Sequence, residues 1–282
     1  MKVAICQSAP VPGDVNATLA FIAESVRKSG KNGYNAELII FPELFITGYF
    51  PELWESRPTP ADELYWIEQL RAVAETESIS VLCGHPSYRA QTKEYGRSSI
   101  GKTIAGNGSK SPLYNAASFV SRTGSVETVA KVHLFGSESL TFAPGDVFPI
   151  LDTEFGKISI QICYDLEFPE SARSAALAGA EVILYPSNNM HPFAQHHQIY
   201  TMARAMENST FVIYCNRIGS ELGVEFCGGS GVAHPMGTWI AAEAQDSELL
   251  FFELNLKDRA SLDASLNYHL HRKPWLYLTL TD

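Results

Sequence analysis

Hydrophobic residues along the chain fall into short runs rich in β-branched side chains, which is the pattern of buried strands. These runs are residues 3–6, 38–41, 79–83, 116–120, 158–162, 182–184, 211–214 and 249–254. Stretches with helical spacing lie between several of them, and helices are predicted at residues 17–29, 60–77, 169–178 and 195–208. Asn16 is the expected cap of the first helix. Strands that alternate with helices predict an α/β fold.

The sequence carries no signal that divides the chain. It has no proline- or serine-rich linker and no internal repeat, so we predict one domain over residues 1–282. One segment, residues 89–111, breaks the pattern because it is polar, rich in Gly, Ser and Lys, and without periodicity. It is predicted to form a long surface loop.

The charge balance narrows the expected partners. The chain has 31 acidic and 21 basic residues and a net charge of −10, which repels nucleic acid phosphates and anionic lipid surfaces. No apolar run is long enough to span a bilayer, and the first residues lack the apolar core of a signal peptide. We therefore expect a cytoplasmic protein with no nucleic acid or membrane partner.

The five cysteines are odd in number, widely spaced and outside any CxxC pair. This usage indicates neither a disulfide framework nor a zinc ribbon. Most of them are predicted to be free thiols, and Cys215 and Cys227 are expected to be buried thiols near the site that are inert unless exposed.

Cys163 stands out by its position in the chain. Ile158, Ile160 and Ile162 alternate with polar residues as in a half-buried strand, and Pro169 opens a predicted helix. Cys163 therefore lies just past a strand and before a helix, where α/β folds place reactive groups. Taken alone, such a cysteine is more often a buried packing residue.

Two other predicted strands end at ionisable residues. The run at residues 38–41 leads to Glu43, and the strand-like stretch at residues 126–132 carries Lys131. Each alone is more often a solvated charge. Together with Cys163 they supply a nucleophile, a proton carrier and a cation for an oxyanion, which are the parts needed for acyl transfer.

A phosphate-binding pattern, GxxxxGK[ST], also occurs at residues 96–103. A working phosphate loop needs a hydrophobic strand before it and a helix after it. The flanking segments are polar or broken by Gly and Pro. A chance match in a polar loop is therefore the favoured interpretation, and nucleotide binding the alternative.

Two smaller patterns also invite a chemical interpretation. His191, His196 and His197 suggest a metal site, but adjacent helical residues point about 100° apart, and no acidic or thiol ligand stands at a suitable offset. Ser230 does not complete a GxSxG nucleophile motif, because Val232 replaces its second glycine. We predict surface or pocket-lining histidines, no metal, and close backbone packing at the glycines.

Six blocks spread over nearly the whole chain resemble the nitrilase, or carbon–nitrogen hydrolase, superfamily. They are VAICQ, FPELFITGY, KVHLFG followed by FAPGD, ICYDLEFPE, RAMENSTFVIYCNRIG and FCGGSGVAHPMG. The resemblance implies a four-layer αββα sandwich. It also implies a homodimer or a higher multiple, in which the C-terminal tail, about residues 262–282, takes part in the contacts.

The resemblance also implies roles for individual residues. The Glu-Lys-Cys triad of the family falls on Glu43, Lys131 and Cys163, and its additional carboxylate on Glu138. The backbone N–H of Tyr164 joins Lys131 at the oxyanion. The residues placed around the substrate are Tyr49, His133, Glu167, Asn188, Asn189 and Met190.

The ICYDLEFPE block is more similar to the aliphatic amidases of the family, including those acting on ω-amino acid amides, than to its true nitrilases. Hydrolysis of a small amide through a thioester is therefore expected, with N-carbamoyl hydrolysis as the alternative and nitrile hydrolysis third. A catalytically silent binder on the same fold is the non-enzymatic alternative. A low-pKa thiolate beside a lysine is expected, and no cofactor.

Overall fold

The computed structural model describes residues 1–90, 111–240, 248–261 and 268–280. One six-stranded sheet has the order β14-β1-β2-β3-β4-β5, and the first three strands along the chain run parallel. Its strands are β1 (Lys2–Cys6), β2 (Leu38–Ile40), β3 (Ser80–Ser87), β4 (Tyr114–Val120), β5 (Val126–Ala130) and β14 (Leu249–Glu253). Strand β4 runs antiparallel to β3, and β5 runs antiparallel to β4, so β5 has the same direction as β2 and β3. The carboxyl ends of β2 and β5 therefore lie at the same edge of the sheet.

A second six-stranded sheet has the order β13-β12-β9-β8-β7-β6, with a parallel centre formed by β7, β8 and β9. Its strands are β6 (Ile150–Thr153), β7 (Gly156–Ile160), β8 (Val182–Ser187), β9 (Phe211–Asn216), β12 (Gly231–Ala233) and β13 (Trp239–Ile240). A separate hairpin follows β9 and is formed by β10 (Ile218–Glu221) and β11 (Val224–Cys227). In β12, a Cβ on Gly231 would lie 2.5 Å from the Trp239 ring, as expected for close packing there.

The helices are α1 (Val15–Ser29), α2 (Pro60–Glu77), α3 (Pro169–Leu177), α4 (Ala194–Asn208) and the short α5 (Tyr268–His271). Asp14 caps α1 by accepting a hydrogen bond from the Ala17 N–H at 2.8 Å, so the prediction of Asn16 as the cap is wrong. The side chains of Thr59 and Asp62 form a capping box at α2. The four predicted helices are all present.

The hydrophobic core has three layers of contact, which confirms the predicted four-layer αββα sandwich. The central layer lies between the two sheets and includes Ile5 and Ile40 from the first and Ile160 and Leu184 from the second. The first sheet packs its other face on α1 and α2, and the second sheet packs on α3 and α4. Apolar burial on both faces explains why the central strands read as continuous hydrophobic runs.

Most of the segment predicted as a surface loop, including the phosphate-loop pattern, lies outside the described residues. Among the residues that are described, no helix is both long and apolar enough to cross a membrane. The one-domain organisation remains a prediction.

Candidate active site

Three ionisable side chains form a hydrogen-bonded cluster that is almost fully shielded from solvent. Lys131 follows β5 directly, and its Nζ lies 2.6 Å from Glu43 Oε1 and 2.8 Å from Glu138 Oε1. All three residues are buried. Glu138 comes from a 3₁₀ turn at Gly136–Leu140, where its Oε2 accepts the Phe135 N–H at 3.1 Å. One ammonium therefore bridges two carboxylates.

The Glu43 carboxylate accepts two further hydrogen bonds besides that from Lys131. Its Oε1 also accepts a hydrogen bond from Asn115 Nδ2 at 2.7 Å, and its Oε2 accepts the backbone N–H of Asn188 at 2.9 Å. Asn188 Nδ2 donates to the Glu43 carbonyl oxygen at 2.7 Å. Asn115 lies in β4 and Asn188 directly follows β8, so both sheets fix this carboxylate.

Close backbone packing also positions Glu43. A Cβ on Gly84 in β3 would lie 2.5 Å from the Pro42 carbonyl oxygen and 2.7 Å from Glu43 Cα. Real Cβ atoms do not approach backbone this closely, so only glycine lets the two segments meet here.

Burial sets the ionisation of this cluster. It raises the pKa of Glu43 above its usual value; Lys131 opposes that increase and Glu138 adds to it. Burial alone would lower the pKa of Lys131, but the carboxylates of Glu43 and Glu138 outweigh it and hold this pKa well above its usual value. Lys131 therefore stays charged, while Glu43 has the raised pKa that suits an acid–base group.

Cys163 faces this cluster from the second sheet. It comes three residues after the end of β7, opens the 3₁₀ turn Cys163–Glu167, and has a positive φ of 46°. That conformation is costly for a residue with a Cβ and marks a locally constrained turn. The residue is half-buried, whereas Cys6, Cys83 and Cys215 are fully buried.

The expected low-pKa thiolate at Cys163 is wrong. Burial raises the pKa of the Cys163 thiol well above its usual value, and the Glu43 carboxylate raises it further. Lys131 and the backbone N–H of Asn188 pull it down, without reversing the increase. Two nearby carboxylates share the single ammonium, which explains why the lysine does not produce a resting thiolate.

Asp165 is a site residue that the sequence did not reveal. It is buried and accepts hydrogen bonds from the Ile162 N–H at 2.9 Å and from both the N–H and Nδ1 of His133 at 2.8 Å. It therefore ties the residue before Cys163 to the segment after Lys131. An Asp inside a turn, with no apparent partner in the sequence, gives no hint of this contact.

Of the predicted pocket and oxyanion residues, Tyr49 contacts the cluster directly, while His133 and Tyr164 both pack against Phe168. The Tyr49 hydroxyl donates to Glu138 Oε1 at 2.8 Å, and the pKa of Tyr49 is raised by burial and by the Glu138 and Glu43 carboxylates. The His133 ring stacks on Phe168 with centroids 3.7 Å apart. Tyr164 packs edge-on against Phe168 at 5.0 Å, while its backbone N–H belongs to the first turn of the 3₁₀ segment, where amides lack an intrahelical acceptor.

The remaining pocket candidates differ in what their side chains do. Asn189 is buried, and its side chain hydrogen-bonds within its own loop. Its Nδ2 donates to the Phe193 carbonyl at 3.2 Å, and its Oδ1 accepts the Met190 N–H at 3.0 Å. Met190 is half-buried and bridges to Phe226 of β11. Glu167 points toward α4, where it meets His197 Nε2 at 3.3 Å.

The histidine cluster and the Ser230 pattern, which the sequence did not favour as functional sites, have structural explanations. His197 is buried, not at the surface, and its Nδ1 lies 3.0 Å from the Tyr214 hydroxyl. Ser230 accepts the Asn216 N–H at 2.9 Å. Within the described ranges, no group of three or more His, Cys, Asp or Glu residues is placed to hold a metal ion.

Comparisons with known proteins give a consistent result. A family model described as carbon-nitrogen hydrolase matches residues 2–263. The chain is 32% identical to a protein named "Hydrolase in pqqF 5'region" from Pseudomonas protegens, over 98% of this chain and 90% of that one. It is also 32% identical to a protein named nitrilase from Pyrococcus abyssi, over 88% and 87% of the two chains.

A solved structure gives the same relation. A Cys-to-Ala mutant of an amidase of the nitrilase superfamily, from Nesterenkonia AN1, superimposes with a TM-score of 0.81 at 26% identity, over 99% of this chain and 97% of that one. Another structure of the Nesterenkonia sp. AN1 amidase shows the acetamide moiety of fluoroacetamide added covalently at its active-site cysteine. The present chain is an enzyme of the carbon–nitrogen hydrolase family, within the nitrilase superfamily.

Proposed function

We propose that this enzyme is an amidase that hydrolyses a small, aliphatic amide to a carboxylate and ammonia through a thioester on Cys163. The observation that carries the proposal is that Lys131 donates hydrogen bonds to both Glu43 and Glu138, in a cluster whose charges act on the Cys163 thiol. The likeness to the Nesterenkonia amidase supports an amide as the substrate.

The first half of the proposed reaction makes the thioester. Glu43 takes the proton of the Cys163 thiol as the sulfur attacks the amide carbon. Lys131 Nζ and the N–H of Tyr164 hold the negative oxygen of the tetrahedral intermediate. Glu43 then gives its proton to the nitrogen, the carbon–nitrogen bond breaks, and ammonia leaves.

The second half returns the enzyme to its starting state. Glu43 removes a proton from water as the water oxygen attacks the thioester carbon. The carbon–sulfur bond breaks, Glu43 gives its proton to the Cys163 sulfur, and the acid product departs and loses its own proton to solvent as the carboxylate. Glu138 holds Lys131 in place throughout and offsets its charge, so we assign it a positioning role.

The raised pKa of the thiol fits this sequence of proton transfers. A neutral Cys163 needs a base at the moment of attack, and Glu43 has its pKa raised toward neutrality by burial. A proton moved from Cys163 to Glu43 also leaves the sulfur anion beside Lys131. The triad then works as one unit.

The test is ammonia release from a panel of short aliphatic amides, ω-amino acid amides, N-carbamoyl amines and nitriles. We expect the amides to give the highest kcat/KM. A preference for nitriles, which the Pyrococcus relative's name favours as a second candidate, or for N-carbamoyl amines would contradict the amidase assignment. No turnover on any class would contradict the whole proposal.

We also propose a homodimer that uses the C-terminal tail. Several large apolar side chains of the described tail are exposed on the single chain, namely Leu270, Trp275, Leu276, Leu278 and Leu280. A second copy would bury them. Light scattering should give twice the chain mass, and a chain that ends at residue 267 should be monomeric; a monomeric full-length protein would contradict this. The cytoplasmic location remains a prediction.

A further inference from the structure

A second buried ion pair lies at the base of the hairpin β10–β11. Arg217, between β9 and β10, pairs through Nη1 with Glu221 Oε2, and the two side chains are 1% and 2% exposed. Burying such a pair is costly unless both groups are well bonded. Neither residue belongs to the Glu43, Lys131, Glu138 and Cys163 cluster, so the pair needs another explanation.

The free oxygen of Glu221 holds the segment that carries Tyr49. Glu221 Oε1 accepts the N–H of Tyr49 at 3.0 Å and the N–H of Phe50 at 3.1 Å. Gly48 makes this approach possible: its φ is +83°, and a Cβ there would lie 3.0 Å from Glu221 Oε1. The carboxylate is therefore fitted against the backbone just before Tyr49.

The arginine reaches the same tyrosine through an aromatic ring. The Arg217 guanidinium carbon lies 4.1 Å from the centre of the Phe226 ring, in cation–π contact. Phe226 in turn meets the Tyr49 ring edge-on, with centroids 6.0 Å apart. Backbone and ring of Tyr49 are thus both held by the hairpin.

Tyr49 connects this hairpin to the catalytic cluster. Its hydroxyl donates to Glu138 Oε1, the same oxygen that accepts from Lys131 Nζ. A shift of Tyr49 would alter the hydrogen bonding of Glu138 and, through it, the position of Lys131. Displacements of about 1 Å in such groups can change rates on the order of a hundredfold.

We propose that Arg217 and Glu221 are positioning residues for the amidase reaction, which set Tyr49 and through it Glu138 and Lys131. This inference rests on the proposed function. The hairpin would then control turnover from outside the substrate pocket.

A double-mutant cycle on amide hydrolysis tests this inference. Glu221→Gln keeps the shape but loses the charge that pairs with Arg217, and we expect kcat to fall about tenfold with KM changed less than about threefold. Tyr49→Phe should lower kcat about fivefold, and adding Glu221→Gln to Tyr49→Phe should lower it less than about twofold further. The acid limb of the pH profile should move to lower pH in both single variants, because each loosens the Glu138 carboxylate, which otherwise adds to the raised pKa of Glu43.

Companion variants separate positioning from general loss of structure. Arg217→Lys keeps the charge and should retain more kcat than Arg217→Met. Gly48→Ala pushes on Glu221 without removing it, and replaces Glu221→Gln in the cycle if that variant does not fold. Glu77→Gln is the matched control, because Glu77 is a buried carboxylate that accepts from Asn32; its kcat should stay within about twofold of wild type.

The possible failures are distinguishable. A wild-type enzyme that hydrolyses no amide contradicts the proposed function. An active wild type with an unchanged kcat in Glu221→Gln overturns only the positioning inference. Effects of Glu221→Gln and Tyr49→Phe that multiply, with no movement of the pH profile, overturn it as well, since they indicate independent structural losses.

Discussion

The two sheets contribute opposite kinds of chemistry to the site. The first sheet supplies Glu43 and Lys131 at the ends of β2 and β5, fully buried and held by several hydrogen bonds each. The second sheet supplies Cys163, half-buried, in a left-handed turn and with a pKa raised above its usual range. The charged residues, Glu43 and Lys131, are therefore enclosed, whereas the neutral residue, Cys163, is partly exposed.

This difference follows from the cost of burial. Charged groups can be dry only when they are paired and hydrogen-bonded, and the first sheet meets this condition with Asn115, Asn188 and Glu138. A thiol has no such requirement, so it can face solvent and substrate. In the proposed mechanism its reactivity comes from the charged groups of the other sheet, so the proposed catalytic element is the interface between the sheets rather than either sheet alone.

The largest expected effect on activity comes from removing the thiol of Cys163. Cys163→Ala should lower kcat by at least about 10⁴-fold, since it removes the proposed nucleophile, and should change stability by less than about 1 kcal/mol because the side chain is small and half-buried. Steady-state amide turnover measures the change in kcat, and urea unfolding measures the change in stability. Cys227→Ala, another half-buried thiol, is the control and should keep kcat within about threefold; equal activity of the two variants would remove Cys163 from the mechanism.

Removing the ammonium group of Lys131 should lower stability as well as activity. Lys131→Met leaves the Glu43 and Glu138 carboxylates without their shared cation. We expect about 3–5 kcal/mol of lost unfolding free energy at neutral pH and a fall in kcat of about 10³-fold. Urea denaturation at pH 5 and pH 8 measures the first. The loss should shrink at the lower pH, where the carboxylates can take up protons, and a loss independent of pH would contradict this account.

A smaller change can displace the base without altering its charge. Gly84→Ala would place a Cβ within 2.7 Å of Glu43 Cα, so the Glu43 segment must shift. We expect kcat to fall about 10- to 100-fold while Lys131 and Cys163 remain in place. Steady-state kinetics on the best amide of the panel measures it, and a kcat like that of wild type would show that the Glu43 position is not critical.

The smallest expected effect is a movement of the pH profile. Glu43 must be ionised to accept the thiol proton, so activity falls as pH drops through its raised pKa, and the acid limb should lie above the pH expected for an ordinary glutamate, about 4.3. Glu138→Gln removes one cause of that increase and should move the limb to lower pH. A limb that moves to higher pH would reverse the electrostatic assignment.

Much of this molecule could be predicted from its sequence. The eight hydrophobic runs correspond to strands β1 to β4, β7 to β9 and β14, and the strand-like stretch at residues 126–132 corresponds to β5. Helix α2 has the predicted bounds, Pro60–Glu77, because proline and a capping threonine mark its start. The short strands β6 and β10 to β13 were missed, since two to four residues carry too little periodicity to distinguish them from loops.

The site was less predictable than the fold, for a physical reason. Glu43, Lys131 and Cys163 follow strands and could be found by that signal, but Asn115 sits in β4, Gly84 in β3 and Asp165 inside a turn. Their roles depend on contacts between segments far apart in sequence. The raised pKa of Cys163 likewise depends first on burial and then on two carboxylates that share one lysine, which no linear pattern encodes.

Partitioning with hydroxylamine tests the thioester on Cys163 most directly. An amide and an ester of the same acyl group should form the same acyl-enzyme, so added hydroxylamine should give the same ratio of hydroxamate to carboxylate from both, and neither product should form with Cys163→Ala. Ratios that differ between the two substrates, or turnover that survives in Cys163→Ala, would contradict a shared covalent intermediate on this cysteine.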